Sequence, residues 1–156
     1  FLGNLRRDSA VFDDGNHFNQ VFWCQFDLFQ CLTFGVQELS DFTLEPVRDL
    51  FGVSTKGYGG PISMVVGLKE DGSVSAIRIL THAETPGLGA RSAEPAFYRQ
   101  FDDRTALPLK VVKGAAGAGD EISAISGATI TSTAVTAGVN AAEDYWSRNL
   151  KGGESR

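Results

Sequence analysis

The stretch Ile125-Ser126-Gly127-Ala128-Thr129-Ile130-Thr131-Ser132 constrains this chain more than any other, because its composition says loop and its continuation says helix. Five of its eight residues are Ser, Thr or Gly, yet Val135, Val139, Ala142 and Trp146 follow at spacings of four, three and four. That is one apolar stripe of an amphipathic helix over 133–146. Ser and Thr hydroxyls ahead of such a stripe accept bonds from the unpaired N–H groups of a first turn, which places the helix start near Thr131. A helix start carries about half a positive charge and a fan of free donors, and so suits a phosphate. Gly127 and Ala128 leave room for a bulky group to approach the backbone. On these residues alone, an ordinary capped helix is the simpler reading.

What surrounds the motif narrows the class. The chain has 156 residues, enough for one domain with a real core. Its 14 basic residues stand against 19 acidic ones, a net charge of −5, which argues against nucleic acid as the main partner. No uncharged apolar run is long enough to span a membrane. The start, Phe1-Leu2-Gly3-Asn4, resembles neither a signal peptide nor a natural initiator, so an upstream segment is expected. Cys24 and Cys31 are spaced wrongly for a zinc knuckle or a redox pair, and the two histidines, His17 and His82, lie far apart, so no metal site is expected. The two thiols read as buried among Phe22, Trp23, Phe26 and Phe29, with a disulfide left open.

Taken in order, residues 1–49 form an N-terminal segment of unclear role packed on the domain. Phe12, Phe18, Phe22, Phe26 and Phe29 recur at mostly helical spacing, which points to helical or irregular structure. Residues 50–149 form the domain proper, and 150–156 a flexible tail. Leu50–Val53 reads as a short strand leading to a turn at 56–61. Ile62, Met64, Val66 and Leu68 then share one strand face. Glu70-Asp71-Gly72-Ser73 is a turn, and 74–81 a second strand with Ser75, Ile77 and Ile79 on one side, so the two strands pair as a hairpin. His82-Ala83-Glu84-Thr85-Pro86-Gly87-Leu88-Gly89-Ala90 is a loop. A short helix over 92–101, a strand over 107–112 and a small-residue connection at 114–119 complete an α+β single domain, an antiparallel sheet with packed helices.

Three strings stand together in this order: KGYGGPI at 56–62, HAETPGLGA at 82–90 and ISGATITS at 125–132. Together they resemble the FMN-binding domain of the G subunit of Rnf electron-transport complexes and, more distantly, the C subunit of the sodium-translocating NADH:quinone reductase. The resemblance covers roughly 50–147. It implies FMN joined through its phosphate to the Thr129 hydroxyl, installed from FAD by a separate flavin transferase. Ser126 and Gly127 would then shape the turn, Ala128 would keep the approach uncrowded, and Thr131 and Ser132 would cap or contact the phosphate. Glu84 and Thr85 would hydrogen-bond the flavin, while Gly87, Leu88 and Gly89 would offer backbone donors and one apolar contact. His82 and Tyr58 are further cofactor candidates, each balanced by a packing role.

The implied function is a covalent-FMN electron-transfer subunit of a membrane redox complex. It would relay electrons between neighbouring centres at the extracytoplasmic, periplasmic face, anchored by a segment absent from this chain, with no catalytic acid or base of its own. Its implied partners are the other subunits and the transferase. One departure stands out: Ser123 occupies the place where the family's transferase motif has Asp. A stand-alone extracytoplasmic flavoprotein carrier and a scaffold subunit that never receives flavin remain as alternatives.

Overall fold

The computed structural model describes residues 9–13, 18–24, 47, 49–105, 107–117 and 119–151. Five strands form one antiparallel sheet in sequence order: β1 (Ser9–Asp13), β2 (Phe18–Cys24), β3 (Asp49–Lys56), β4 (Pro61–Leu68) and β5 (Val74–His82). Each strand pairs antiparallel with its predecessor, and the β3–β4 and β4–β5 pairs are joined by short turns. Phe12, Phe18 and Phe22 therefore lie on strands, not on a helix. Their spacing of about four fits even-numbered steps of a strand as well as helical turns, and pairing with β3 decides between the two. Phe26, Phe29 and Cys31 lie outside the described residues.

The central hairpin follows its alternation. Ile62, Met64, Val66 and Leu68 are all buried, and Met64 and Val66 face Ile79 and Ile77 across the register. A register shift between Gly67 and Leu68 puts Val74 opposite Leu68. Val74 is therefore the buried residue at that end, in place of Ser75, because the extra residue of a bulge reverses the alternation.

The long helix crosses this sheet. Numbered α2, it spans Thr129–Asn149, starting two residues before the Thr131 start read from the sequence. Val135, Val139 and Ala142 are fully buried and Trp146 nearly so. They meet Phe51, Val53, Met64 and Val66 in a single core, where each large side chain contributes roughly 1.5–3 kcal/mol. Gly138 lets the axis approach closely: a Cβ there would lie 2.7 Å from Thr55 Cγ2 and 2.8 Å from Met64 Cε.

Between β5 and the helix, the segment expected to be one helix is three short pieces. A 3-10 turn at Gly89–Ala93 leads into α1 (Pro95–Tyr98) and a second 3-10 turn at Arg99–Phe101. Phe97 and Phe101 still bury together, edge to face at 5.6 Å. The strand expected over 107–112 is confined to β6 (Lys110–Val112) and pairs in parallel with β7 (Glu121–Ser123). Pro108, after a cis peptide, removes a donor from the first half of that stretch. Among the described residues no helix is long and apolar enough to cross a membrane.

Candidate functional site

The three sequence strings, far apart along the chain, meet at one carboxylate. Glu84 follows β5 and is buried. Its Oε1 accepts from the backbone N–H of Gly59 at 2.9 Å, in the turn between β3 and β4. Its Oε2 accepts from the hydroxyl of Thr131, in the first turn of α2. No basic side chain pairs with it among the described residues. Neutral donors and the positive end of α2 therefore balance the charge.

Glycines make room for this carboxylate. A Cβ at Gly57 would lie 2.3 Å from Glu84 Oε1, and one at Gly89 would lie 2.4 Å from Oε2 and 2.7 Å from Thr131 Oγ1. The backbone N–H of Glu84 donates to His82 Nδ1 at 3.3 Å, so His82 fixes the entrance of the loop. The Thr85 carbonyl accepts from the N–H groups of Leu88 and Ala90, curling residues 85–90 into a compact turn.

The motif at 125–132 closes on itself. The Ser132 hydroxyl donates to the Ala128 carbonyl at 2.9 Å and accepts from the Ile125 N–H at 3.0 Å. Ala128 N–H bonds back to Ile125 O, and Gly127, at φ +78, makes the turn between them. Ala128 is the N-cap, and no side chain caps the helix. That differs from the expected Ser/Thr cap: Ser132 and Thr131 are both buried and their hydroxyls are turned to other partners. The first-turn N–H groups of α2 thus keep their donors for something other than a side-chain cap. Thr129 is the first residue of that helix, and its side chain, like those of Ser126 and Ile130, is exposed.

The space over Gly127 is taken by a neighbour, since Leu88 Cδ2 lies 3.0 Å from where its Cβ would be. Leu88 and Ile130 are 44% and 52% exposed, and Tyr58 at the tip of the 57–60 turn is 72% exposed. Three of the four large apolar side chains left exposed among the described residues thus belong to the strings that meet at Glu84. Ile130 was absent from the sequence-based candidates. Its signal was an apolar residue off the stripe of α2.

These features suit a phosphate ester of a flat aromatic group: an exposed hydroxyl, an uncapped helix start and an apolar rim. Of the sequence candidates, Glu84, Gly89, Thr131, Ser132 and His82 form the inner frame. Thr129, Ser126, Gly127, Thr85, Gly87, Leu88 and Tyr58 lie on the exposed side, and Ala128 is buried beneath them. Ser123, three residues before Ser126, donates its hydroxyl to Gly114 O and accepts from Ala116 N–H at 2.9 Å. Its backbone is gripped by the Gln100 amide, which accepts from Ser123 N–H at 2.8 Å and donates to its carbonyl at 3.3 Å.

The family model for the FMN-binding domain matches residues 57–144, more than half of the chain. The G subunit of the proton-translocating ferredoxin:NAD(+) oxidoreductase complex of Clostridium ljungdahlii is 48% identical over 88 residues, covering 56% of this chain and 47% of that protein. The G subunit of the Na(+)-translocating ferredoxin:NAD(+) oxidoreductase complex of Acetobacterium woodii is 47% identical over 88 residues, covering 55% and 42%. The chain spans about half the length of these relatives. The crystal structure of the C subunit of the Na(+)-translocating NADH-quinone reductase from Parabacteroides distasonis shares the fold, with a TM-score of 0.56 at 23% identity over 89% of this chain and 64% of that one.

Proposed function

The chain belongs to the FMN-binding domain family, and from that premise we propose that it carries FMN esterified to Thr129 and relays electrons within an ion-translocating oxidoreductase complex. The observation that carries this reading is the exposed Thr129 side chain on the first turn of a helix with no side-chain cap. FMN would supply reversible electron uptake, and this chain's residues do the holding. The first-turn N–H groups and the positive end of α2 suit the anionic ester. Ser132 and Gly127 set the turn that presents Thr129, while Leu88, Ile130 and Tyr58 offer apolar surface to the ring system. Proteins named as G subunits of ferredoxin:NAD(+) oxidoreductase complexes are the relatives at 47–48% identity. The proposed partners are accordingly the other subunits of such a complex, at the extracytoplasmic face of a membrane.

Attachment forms a bond from Thr129 Oγ1 to the flavin-side phosphorus of FAD and breaks the pyrophosphate bond, with AMP leaving and the hydroxyl proton passing to solvent. A flavin transferase is the proposed catalyst. Ser123 favours one competing reading, a scaffold that never receives flavin, because its hydroxyl is committed to the 114–116 loop and no carboxylate stands at that position.

Intact mass after co-expression with a flavin transferase separates the two. The relay reading expects a gain of one FMN less one water in the wild type and none in Thr129→Ala. A colourless wild type of unmodified mass favours the scaffold, and a Thr129→Ala chain that still gains the mass refutes the attachment point.

A further inference from the structure

Sequence reasoning treats Glu84 as a loop carboxylate near the flavin, but its structural position gives it a different part. Both of its oxygens are engaged by the protein, from partners 25 and 47 residues away. Glycines at 57 and 89 are shaped around it. Of the two buried carboxylates among the described residues, Asp49 sits against Trp146 near the far end of α2. Glu84 is the one beside the helix start. Its acceptor contact is with Thr131, two residues after Thr129.

We propose that Glu84 is the positioning residue of this site, a buried carboxylate that locks the 57–60 turn, the 83–90 loop and the first turn of α2 together and, through its charge, lowers the reduction potential of a flavin held there. The lock follows from the two hydrogen bonds. The effect on potential follows from Coulomb repulsion, which is weakly screened where water is excluded, between a fixed anion and electrons added nearby. The second half rests on the flavin reading, whereas the first does not.

The test therefore has one arm on each side of that dependence. In the flavin-free chain, hydrogen exchange at the Gly59 amide should speed up at least tenfold in Glu84→Ala, while the Trp146 indole N–H at the far end of α2 keeps its protection. Unchanged protection at Gly59 overturns the lock. In the flavin-loaded chain at pH 8, Glu84→Gln should shift the midpoint potential positive, because the charge is gone and an acceptor oxygen remains. Thr131→Val deletes one donor while keeping the side chain's shape, and it serves where Glu84→Ala does not fold. It leaves the charge less offset and should shift the potential the other way, with Thr131→Ser returning to the wild-type value.

A purely structural Glu84 would not produce shifts of opposite sign. Equal potentials in Glu84→Gln, Thr131→Val and the wild type overturn the electrostatic half. A wild type that takes no flavin removes the electrostatic half and the flavin reading together, while the exchange result continues to decide the lock.

Discussion

Gly87 and Gly89 stand two positions apart and are needed for different reasons. Gly87 has φ +75 with open space around its missing Cβ, so alanine there meets only backbone strain, about 1–2 kcal/mol. Gly89 lacks that strain, but its Cβ would press on Glu84 and on Thr131 Oγ1. Separating that pair leaves a buried donor and acceptor unmet, for about 1–3 kcal/mol. Urea unfolding of the two single variants is expected to give similar losses. In a Glu84→Ala background the Gly89→Ala cost should shrink while that of Gly87→Ala adds in full. Equal additivity would show that Gly89 is not reserved for the carboxylate. None of this was visible in the string ETPGLG, where both glycines read simply as sources of backbone donors.

Among the elements, α2 organises the molecule, and a carboxylate ties it near each end. Trp146 Nε1 donates to Asp49 Oδ2 at 3.1 Å, and the indole lies over Gly72, where a Cβ would come within 2.4 Å of Cζ3. Trp146→Phe keeps most of the packing and strands Asp49 at 4% exposure, so a loss of about 1–3 kcal/mol is expected in chemical denaturation. Adding Asp49→Asn should recover part of it, because a neutral amide is cheaper to bury unpaired. At the middle of the helix, Gly138→Ala sets a propensity gain of about 1 kcal/mol against overpacking of roughly 1–3 kcal/mol. Thr55 Cγ2 is part of a stiff β-branched side chain, so overpacking wins, and a lowered melting temperature is the expected outcome.

The stripe of α2 and the β4–β5 hairpin were legible because 3.6- and 2-residue periods leave their mark on side chains. The N-terminal strands were not, since phenylalanines four apart satisfy both periods. Nor was the three-residue β7, which is too short to show any period and takes its parallel partner from tertiary pairing. Within the site, the resemblance singled out Thr129, and its exposed place on the first turn of α2 comes from the structure. The burial of Glu84 was not legible, because its donors come from strings remote in sequence.

At the scale of the whole molecule, two opposed groups of carboxyls among the described residues contribute to the acid response. Burial raises Asp102 above its ordinary value of 3.8, and its Oδ1 is buried without a hydrogen-bond partner. Burial, followed by repulsion from Asp144, raises Glu143 above 4.5. Hydrogen bonds from Ser73 lower Asp71, and the Lys110 ammonium lowers Asp120. The raised pair disfavours folding while ionised, and that penalty is relieved as pH falls through their folded-state values. The lowered pair supports folding above 3.8, and that support is lost as pH falls through theirs. Stability should therefore hold or rise from pH 7 toward about 4.5 and decline below about 3.8. Thermal melts across pH should show Asp102→Asn raising the midpoint at pH 7 and leaving it nearly unchanged at pH 3.5; an equal gain at both would mean that charge burial is not the cause.

The ties from Thr131 to Glu84 and from Trp146 to Asp49 also act along the axis of α2. Sliding the helix by a single residue, about 1.5 Å, would have to break both at once. For the electron relay proposed above, such a bolted rod would hold the tunnelling distance steady through thermal motion and docking, leaving the rate to the neighbour's approach and not to play within the domain.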